Sequence, residues 1–175
     1  MNDSNRPTVI VSEPLNKRTL AYLAAHAEVI RVTAEQVNSG QADDALARAE
    51  GMCVRTYTLI NENLLARSPR LKVVGRAGVA LDNIDVPACR ARGVEVVHTP
   101  EANTLAVVDY TLAAILRMNR RYWPMAGHIA PEQFHKTRKQ TFGRFLAGTT
   151  LGIVGMGRIG SRVGRAAVAM GMTLL

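Results

Sequence analysis

Three glycines near residue 160 are spaced for phosphate binding. Gly155, Gly157 and Gly160 form a G-x-G-x-x-G pattern directly after the apolar run 151–154. In such a pattern the first glycine permits a tight turn, the second lets the backbone approach a phosphate without a Cβ in the way, and the third lets the next helix pack closely. Because N–H groups at a helix start favour negative charge, the pattern predicts a dinucleotide pyrophosphate site.

The surrounding residues favour a strand, a turn and a helix. After the turn, apolar residues recur at helical spacing, at Ile159, Val163, Ala166 or Ala167, and Met170. Gly171 is placed to end that helix, and residues 172–175 begin a further strand. The less specific alternative is an ordinary glycine turn in an α/β protein.

In proteins with this pattern, an Asp or Glu roughly 20 residues later binds the ribose hydroxyls. Residues 161–175 contain no Asp or Glu, so we expect this acid after residue 175. The expected cofactor is NAD, and NADP stays open because this acid distinguishes the two.

Composition narrows the function classes. The chain has 175 residues, 47% of them hydrophobic, and its 22 Lys and Arg against 14 Asp and Glu give a net charge of +8. The cations are scattered, and few aromatic residues lie between them, so we expect small anions rather than nucleic acid or a membrane as partners.

The two cysteines and the chain start favour a reducing compartment. Cys53 and Cys89 lack metal or redox spacing and are expected to be reduced packing residues. Residues 1–7 are polar, and no apolar run has the ~18 residues of a membrane span. We therefore expect a cytoplasmic protein without a metal site.

The first hundred residues alternate short β-rich runs with helical patterns, which is typical of a parallel sheet. Leu20, Leu23, Ala24 and Ala27 are expected to form the inner face of the first helix. The strands are expected at 8–12, 28–32, 52–54, 71–74 and 94–98, and further helices at 43–49, 61–67 and 86–92. The sequence thus predicts a flavodoxin-like α/β domain.

A longer helix is expected after Pro100. Asn103 or Thr104 can cap it, and apolar residues then recur at intervals of three and four, beginning with Leu105, Val108 and Leu112. Residues 124–148, rich in proline and glycine, are expected to form an irregular connection before the glycine turn.

From about Arg55 onward the sequence resembles the D-isomer-specific 2-hydroxyacid dehydrogenases, especially their phosphoglycerate dehydrogenase branch. The matching stretches are residues 71–79, 81–85, 99–104 and 143–160. Several long motifs in the right order are more specific than the glycines alone, whereas residues 1–50 match only in pattern.

The resemblance implies two domains with a cleft between them. Residues 1–100 would form the substrate-binding domain, and residues 101–175 a linker helix and the first β-α unit of an incomplete Rossmann domain. Hydride would pass between NAD(P) and a small anionic 2-hydroxy acid, in a homodimer. The alternatives are a non-enzymatic nucleotide-sensing protein and an oligomerising remnant of the same scaffold.

The resemblance also implies individual site residues. Arg55 and Arg76 would contact the anionic substrate, and the loop containing Ala77, Gly78 and Val79 would offer backbone N–H groups to its carboxylate. Alternatively, Arg55 is a surface arginine at a strand end, and Arg76 forms a structural ion pair with Asp82 or Asp85. The cofactor would contact the glycine turn, at Gly155, Gly157, Arg158, Ile159 and Gly160.

The sequence departs from the family at several positions. Ala80 replaces a common glycine, His98 replaces an asparagine, and Asp109-Tyr110 replaces a Glu-His pair. The family's catalytic Arg, acid and His would all fall outside these 175 residues, so we expect no catalytic residue here and an inactive chain. His98 is expected to be structural.

Overall fold

The computed structural model describes residues 6–120 and 127–175. The chain divides into two compact units, the first ending at Ala102 and the second beginning at Asn103. Each unit has its own parallel sheet.

The first unit is built on five parallel strands. They are β1 (Thr8–Val11), β2 (Glu28–Arg31), β3 (Gly51–Val54), β4 (Val73–Arg76) and β5 (Glu95–His98). Their order in the sheet is β2-β1-β3-β4-β5, which confirms the predicted flavodoxin-like class. The expected start of β4 at residue 71 is wrong, since the strand begins at Val73 and continues to Arg76.

Five helices connect these strands. They are α1 (Lys17–His26), α2 (Ala34–Ser39), α3 (Asp43–Arg48), α4 (Glu62–Arg67) and α5 (Val86–Ala91). Helix α2 was not predicted from the sequence; it begins with a capping box between Thr33 and Gln36. The predicted inner face of α1 is partly wrong, because Ala27 is buried while Ala24 is exposed.

The core of the first unit lies on one face of the sheet. Ile10, Met52 and Val74 are essentially inaccessible there. Four helices contribute Val37, Leu46, Leu64, Leu65 and Cys89 to this core. Because successive strand residues alternate between faces, Cys53 and Gly75 point to the opposite face, in register with Val97.

The second unit contains the glycine turn. Its elements are α6 (Thr104–Asn119), α7 (Pro131–Lys139), β6 (Thr150–Leu151), α8 (Gly160–Ala169) and β7 (Thr173–Leu174). The predicted irregular connection is wrong over 131–139, where α7 forms with proline in its first turn. Residues 124–126 of that prediction lie outside the described residues.

The predicted strand, turn and helix are confirmed. β6 pairs in parallel with β7, and the ladder continues beyond β6 through the bond from the Ile153 N–H to the Leu175 carbonyl, at 2.8 Å. Helix α8 buries Val163, Gly164 and Ala167. The strand, at Thr150–Leu151, is nevertheless shorter than the apolar run 151–154, and Val154 at the end of that run is fully exposed.

Candidate functional site

The glycine turn has a conformation that requires glycine at two positions. Gly155 has a φ of +99°, which side-chain-bearing residues rarely adopt. A Cβ on Gly160 would overlap the carbonyl oxygen of Gly155 and would lie 3.3 Å from the Ile153 side chain. The third glycine therefore allows close contact with the turn itself, as well as with the strand that precedes it.

Backbone donors are left without acceptors where this turn enters α8. The N–H groups of Gly157, Arg158 and Ile159 donate to no acceptor within the described residues, and no side chain caps the helix. A Cβ on Gly157 would meet no described atom within 4 Å. Unpaired donors beside open space fit the pyrophosphate of a dinucleotide.

In the first unit, the loop after β4 is held by the end of β5. Thr99 donates to the Gly78 carbonyl from its N–H at 3.1 Å, and the His98 ring nitrogen Nδ1 lies 2.9 Å from the Val79 carbonyl oxygen. The N–H groups of Ala77 and Gly78 donate to the carbonyls of Val54 and Arg76. Of the three loop N–H groups, only that of Val79 has no acceptor among residues 6–120 and 127–175.

A small cavity opens beside this loop, at the carboxyl edge of the sheet. Its volume is about 190 Å³, and it contains Arg76 and Ala77 from the predicted substrate site. Arg55, Gly78 and Val79 do not line it. The lining residues are Leu15, Thr19, Cys53, Gly75, Arg76, Ala77, Val97, His98 and Thr99.

The two candidate substrate arginines have different surroundings. Arg55 is exposed, and its Nη1 donates to the Pro14 carbonyl at 3.3 Å. Arg76 is half-buried, and its Nε donates to Asn83 Oδ1 at 2.9 Å. The alternative expected from the sequence was an ion pair with Asp82 or Asp85.

The Arg76 guanidinium also lies against the substrate loop. A Cβ on Gly78 would overlap the Nη1 atom of Arg76. A glycine at this position therefore allows the cation to approach the loop backbone closely.

A buried carboxylate at the end of β1, Glu13, was not predicted from the sequence. Glu13 is 7% exposed and accepts backbone N–H groups from Arg55 and Thr56 at 2.8 Å, and from Tyr57 and Thr58 at 3.2 Å. The Thr58 hydroxyl donates to it as well, at 3.1 Å. The position of an acid directly after a buried strand was the one available signal.

These donors keep Glu13 ionised although it is buried. Burial by itself raises the pKa of this carboxyl, but the four N–H donors outweigh it, and the pKa lies below its ordinary value of 4.5. A second missed residue, Asn83, donates from Nδ2 to the Thr58 carbonyl at 2.7 Å.

Neither cysteine forms a disulfide. Burial raises the pKa of the Cys53 thiol, while burial and the charge of Asp85 raise the pKa of the Cys89 thiol. The described residues contain no group of three His, Cys, Asp or Glu side chains placed to hold a metal ion. Within the same residues, no helix is long and apolar enough to cross a membrane.

Comparison with known proteins identifies a family. A sequence model described as "D-isomer specific 2-hydroxyacid dehydrogenase, catalytic domain" matches residues 9–172. Over 95% of the chain, D-3-phosphoglycerate dehydrogenases from Synechocystis and Bacillus subtilis are 36% and 37% identical. The chain spans only 29% and 31% of the length of these two relatives.

Solved structures have the same fold. A protein from Thermus thermophilus is 31% identical with a TM-score of 0.76, and the match covers 95% of this chain and 54% of that one. An Aquifex aeolicus D-lactate dehydrogenase, solved with NAD and lactic acid, is 26% identical with a TM-score of 0.71, and its match covers 95% and 50%.

Proposed function

Because the chain belongs to the D-isomer specific 2-hydroxyacid dehydrogenase family, we propose that it serves an oxidoreductase that transfers a hydride between NAD(P) and a small 2-hydroxy acid. The match over residues 9–172 carries this proposal. We propose different roles for two parts of the chain: residues 1–100 would bind the substrate, and residues 101–175 would provide the linker helix and the start of the cofactor domain.

The glycine turn would hold the cofactor pyrophosphate. Gly155 and Gly160 shape the turn, and the unpaired N–H groups of Gly157, Arg158 and Ile159 would donate to phosphate oxygens. The nicotinamide, when bound, supplies or accepts the hydride. NAD is the cofactor we favour, because the Aquifex aeolicus relative was solved with NAD.

The substrate would bind at the carboxyl edge of the five-stranded sheet, where ligands of open α/β sheets bind. The N–H of Val79 is available for its carboxylate, and the guanidinium groups of Arg55 and Arg76 for its anionic groups. Ala77 and Gly78 shape the loop, and Gly78 leaves room for Arg76. A phosphorylated 2-hydroxy acid is the substrate class that the phosphoglycerate dehydrogenase relatives favour.

We propose that the described residues supply binding groups and no proton-transfer pair. The His98 ring nitrogen Nδ1 lies 2.9 Å from the Val79 carbonyl oxygen, and we propose that His98 is a structural residue of the substrate loop. We therefore propose that these 175 residues do not catalyse the reaction by themselves.

Two further proposals concern the oligomeric state and the cellular compartment of the protein. Helix α7 buries none of its nine residues, all of which the structure describes, and Phe134 on it is 48% exposed. Such a short helix needs packing for stability, which supports the proposed homodimer. Two unpaired thiols, Cys53 and Cys89, support a reducing cytoplasm.

The test is a dehydrogenase assay on the protein as its gene encodes it. NADH or NADPH oxidation is followed with glyoxylate, hydroxypyruvate and phosphohydroxypyruvate, and turnover of at least one of them is expected. Tight dinucleotide binding without turnover of any 2-keto acid would contradict the dehydrogenase proposal and favour a nucleotide-sensing protein.

A further inference from the structure

A continuous set of hydrogen bonds connects the ends of β1, β3 and β4 at the carboxyl edge of the first unit. We propose that Glu13 is a positioning residue that places the guanidinium groups of Arg55 and Arg76 for a substrate bearing a second anionic group. The inference depends on the proposed function, since it concerns the same substrate site. Glu13 itself is 7% exposed and acts through other residues.

The first connection fixes the loop that carries Arg55. Glu13 Oε1 accepts the Arg55 N–H at 2.8 Å, and the next residue along, Pro14, accepts the Arg55 guanidinium at 3.3 Å. The adjacent N–H of Thr56 donates to the other oxygen, Oε2, at 2.8 Å. Residues 13–14 therefore hold both the backbone and the side chain of this exposed arginine.

The second connection extends from Glu13 to Arg76. Thr58, which is fully buried, donates its hydroxyl to Glu13 Oε1 at 3.1 Å and accepts Asn83 Nδ2 on its carbonyl at 2.7 Å. Asn83 Oδ1 then accepts Arg76 Nε at 2.9 Å. The amide of Asn83 is thereby oriented from both ends, and it leaves the terminal nitrogens of Arg76 beside Gly78.

The negative charge of Glu13 is stabilised by hydrogen-bond donors and pairs with neither substrate arginine. It accepts five hydrogen bonds from residues 55–58 and forms no ion pair with Arg55 or Arg76 among the described contacts. Glu13 therefore leaves both guanidinium groups available to an external anion. Two cations favour a ligand with two anionic groups, because a monoanion has charge for only one of them.

The experiment compares two probes on the 175-residue chain by amide chemical shifts. The probes are 3-phosphoglycerate, which carries a second anionic group, and glycolate, which lacks it; the Val79 amide reports binding. Glu13→Gln is expected to weaken 3-phosphoglycerate binding about tenfold and glycolate binding less than about twofold. A role limited to folding would not change the ratio of the two affinities.

Glu50→Gln is the matched control. Glu50 lies at the opposite end of β3 and pairs with Lys72 at 2.7 Å, so this variant removes the same charge without touching the set. It is expected to leave both affinities unchanged.

Asn83→Ala tests the second connection independently, and it decides the matter if Glu13→Gln fails to fold. It is expected to weaken 3-phosphoglycerate binding about threefold with glycolate unchanged. Unchanged 3-phosphoglycerate affinity in the folded variants, or equal losses for both probes, overturns the inference and leaves the proposed function intact. A wild-type chain that binds neither probe overturns the proposed substrate site and the inference with it.

Discussion

Replacing Glu13 by glutamine is expected to destabilise the first unit by about 2–4 kcal/mol at neutral pH. The carboxylate accepts five hydrogen bonds, whereas a glutamine has one carbonyl oxygen and presents an NH₂ group to the remaining donors. Arg55, Thr56 and Tyr57 are exposed, so water replaces much of what their N–H groups lose. Most of the cost arises at Thr58, whose N–H and hydroxyl are fully buried.

The same variant gives a pH signature. Because the folded pKa of Glu13 lies below 4.5, its contribution to stability is fully present above that pH and is lost as the pH falls through the folded pKa. Glutamine does not titrate. The difference in unfolding free energy between wild type and Glu13→Gln should therefore be largest near neutrality and should shrink in acid.

Urea unfolding, followed through amide signals of the first unit at about pH 7 and about pH 4, measures this difference. Glu50→Gln is again the control, since it removes a half-buried carboxylate whose partners Lys72 and Arg70 are exposed, and its effect is expected to be small. A Glu13→Gln variant as stable as wild type, or a difference that persists unchanged in acid, would refute the reasoning.

Three other predictions follow from the packing. Gly160→Ala should destabilise the second unit by about 1–3 kcal/mol, because the new Cβ overlaps the turn. Gly157→Ala should leave the thermal midpoint unchanged and weaken dinucleotide binding, because its Cβ would lie in open space. Equal thermal midpoints for the two variants in circular dichroism would contradict this. Leu46→Ala should cost about 2–5 kcal/mol in urea unfolding, because Leu46 is fully buried, and a smaller loss would mean that the site collapses. Iodoacetamide should modify half-buried Cys53 before fully buried Cys89, and mass spectrometry showing the reverse order would contradict the burial argument.

The features that the sequence predicts are those that depend on neighbouring residues. The apolar runs mark all five strands of the first unit, and parallel pairing follows from their alternation with helices. Gly155 and Gly171 were predicted as a turn and a helix end, and both have positive φ, at +99° and +81°. These conformations are decided within a few residues, so the local pattern is sufficient.

Elements without a strong apolar period were harder to predict. Val37 is the one large apolar residue of helix α2, and Phe134 is the one large apolar residue of helix α7, so neither sequence shows the apolar stripe by which a helix is recognised. The end of β6 was misjudged for the opposite reason. Val154 is apolar and extends the run, yet it is fully exposed where the chain leaves the sheet.

The Glu13 carboxylate illustrates why the candidate site itself was only partly predictable. Its partners lie 42 to 45 positions away along the chain, and the residues between them form α1, β2, α2, α3 and β3. Only the order β2-β1-β3 places the end of β1 beside the end of β3, so the pairing depends on topology as well as on residue type. Once that order is known, a buried acid between two strand ends requires donors, and the N–H groups of the loop after β3 are within reach. The predicted flavodoxin-like class already implies this strand order, so Glu13 was identifiable from the class together with its position after β1.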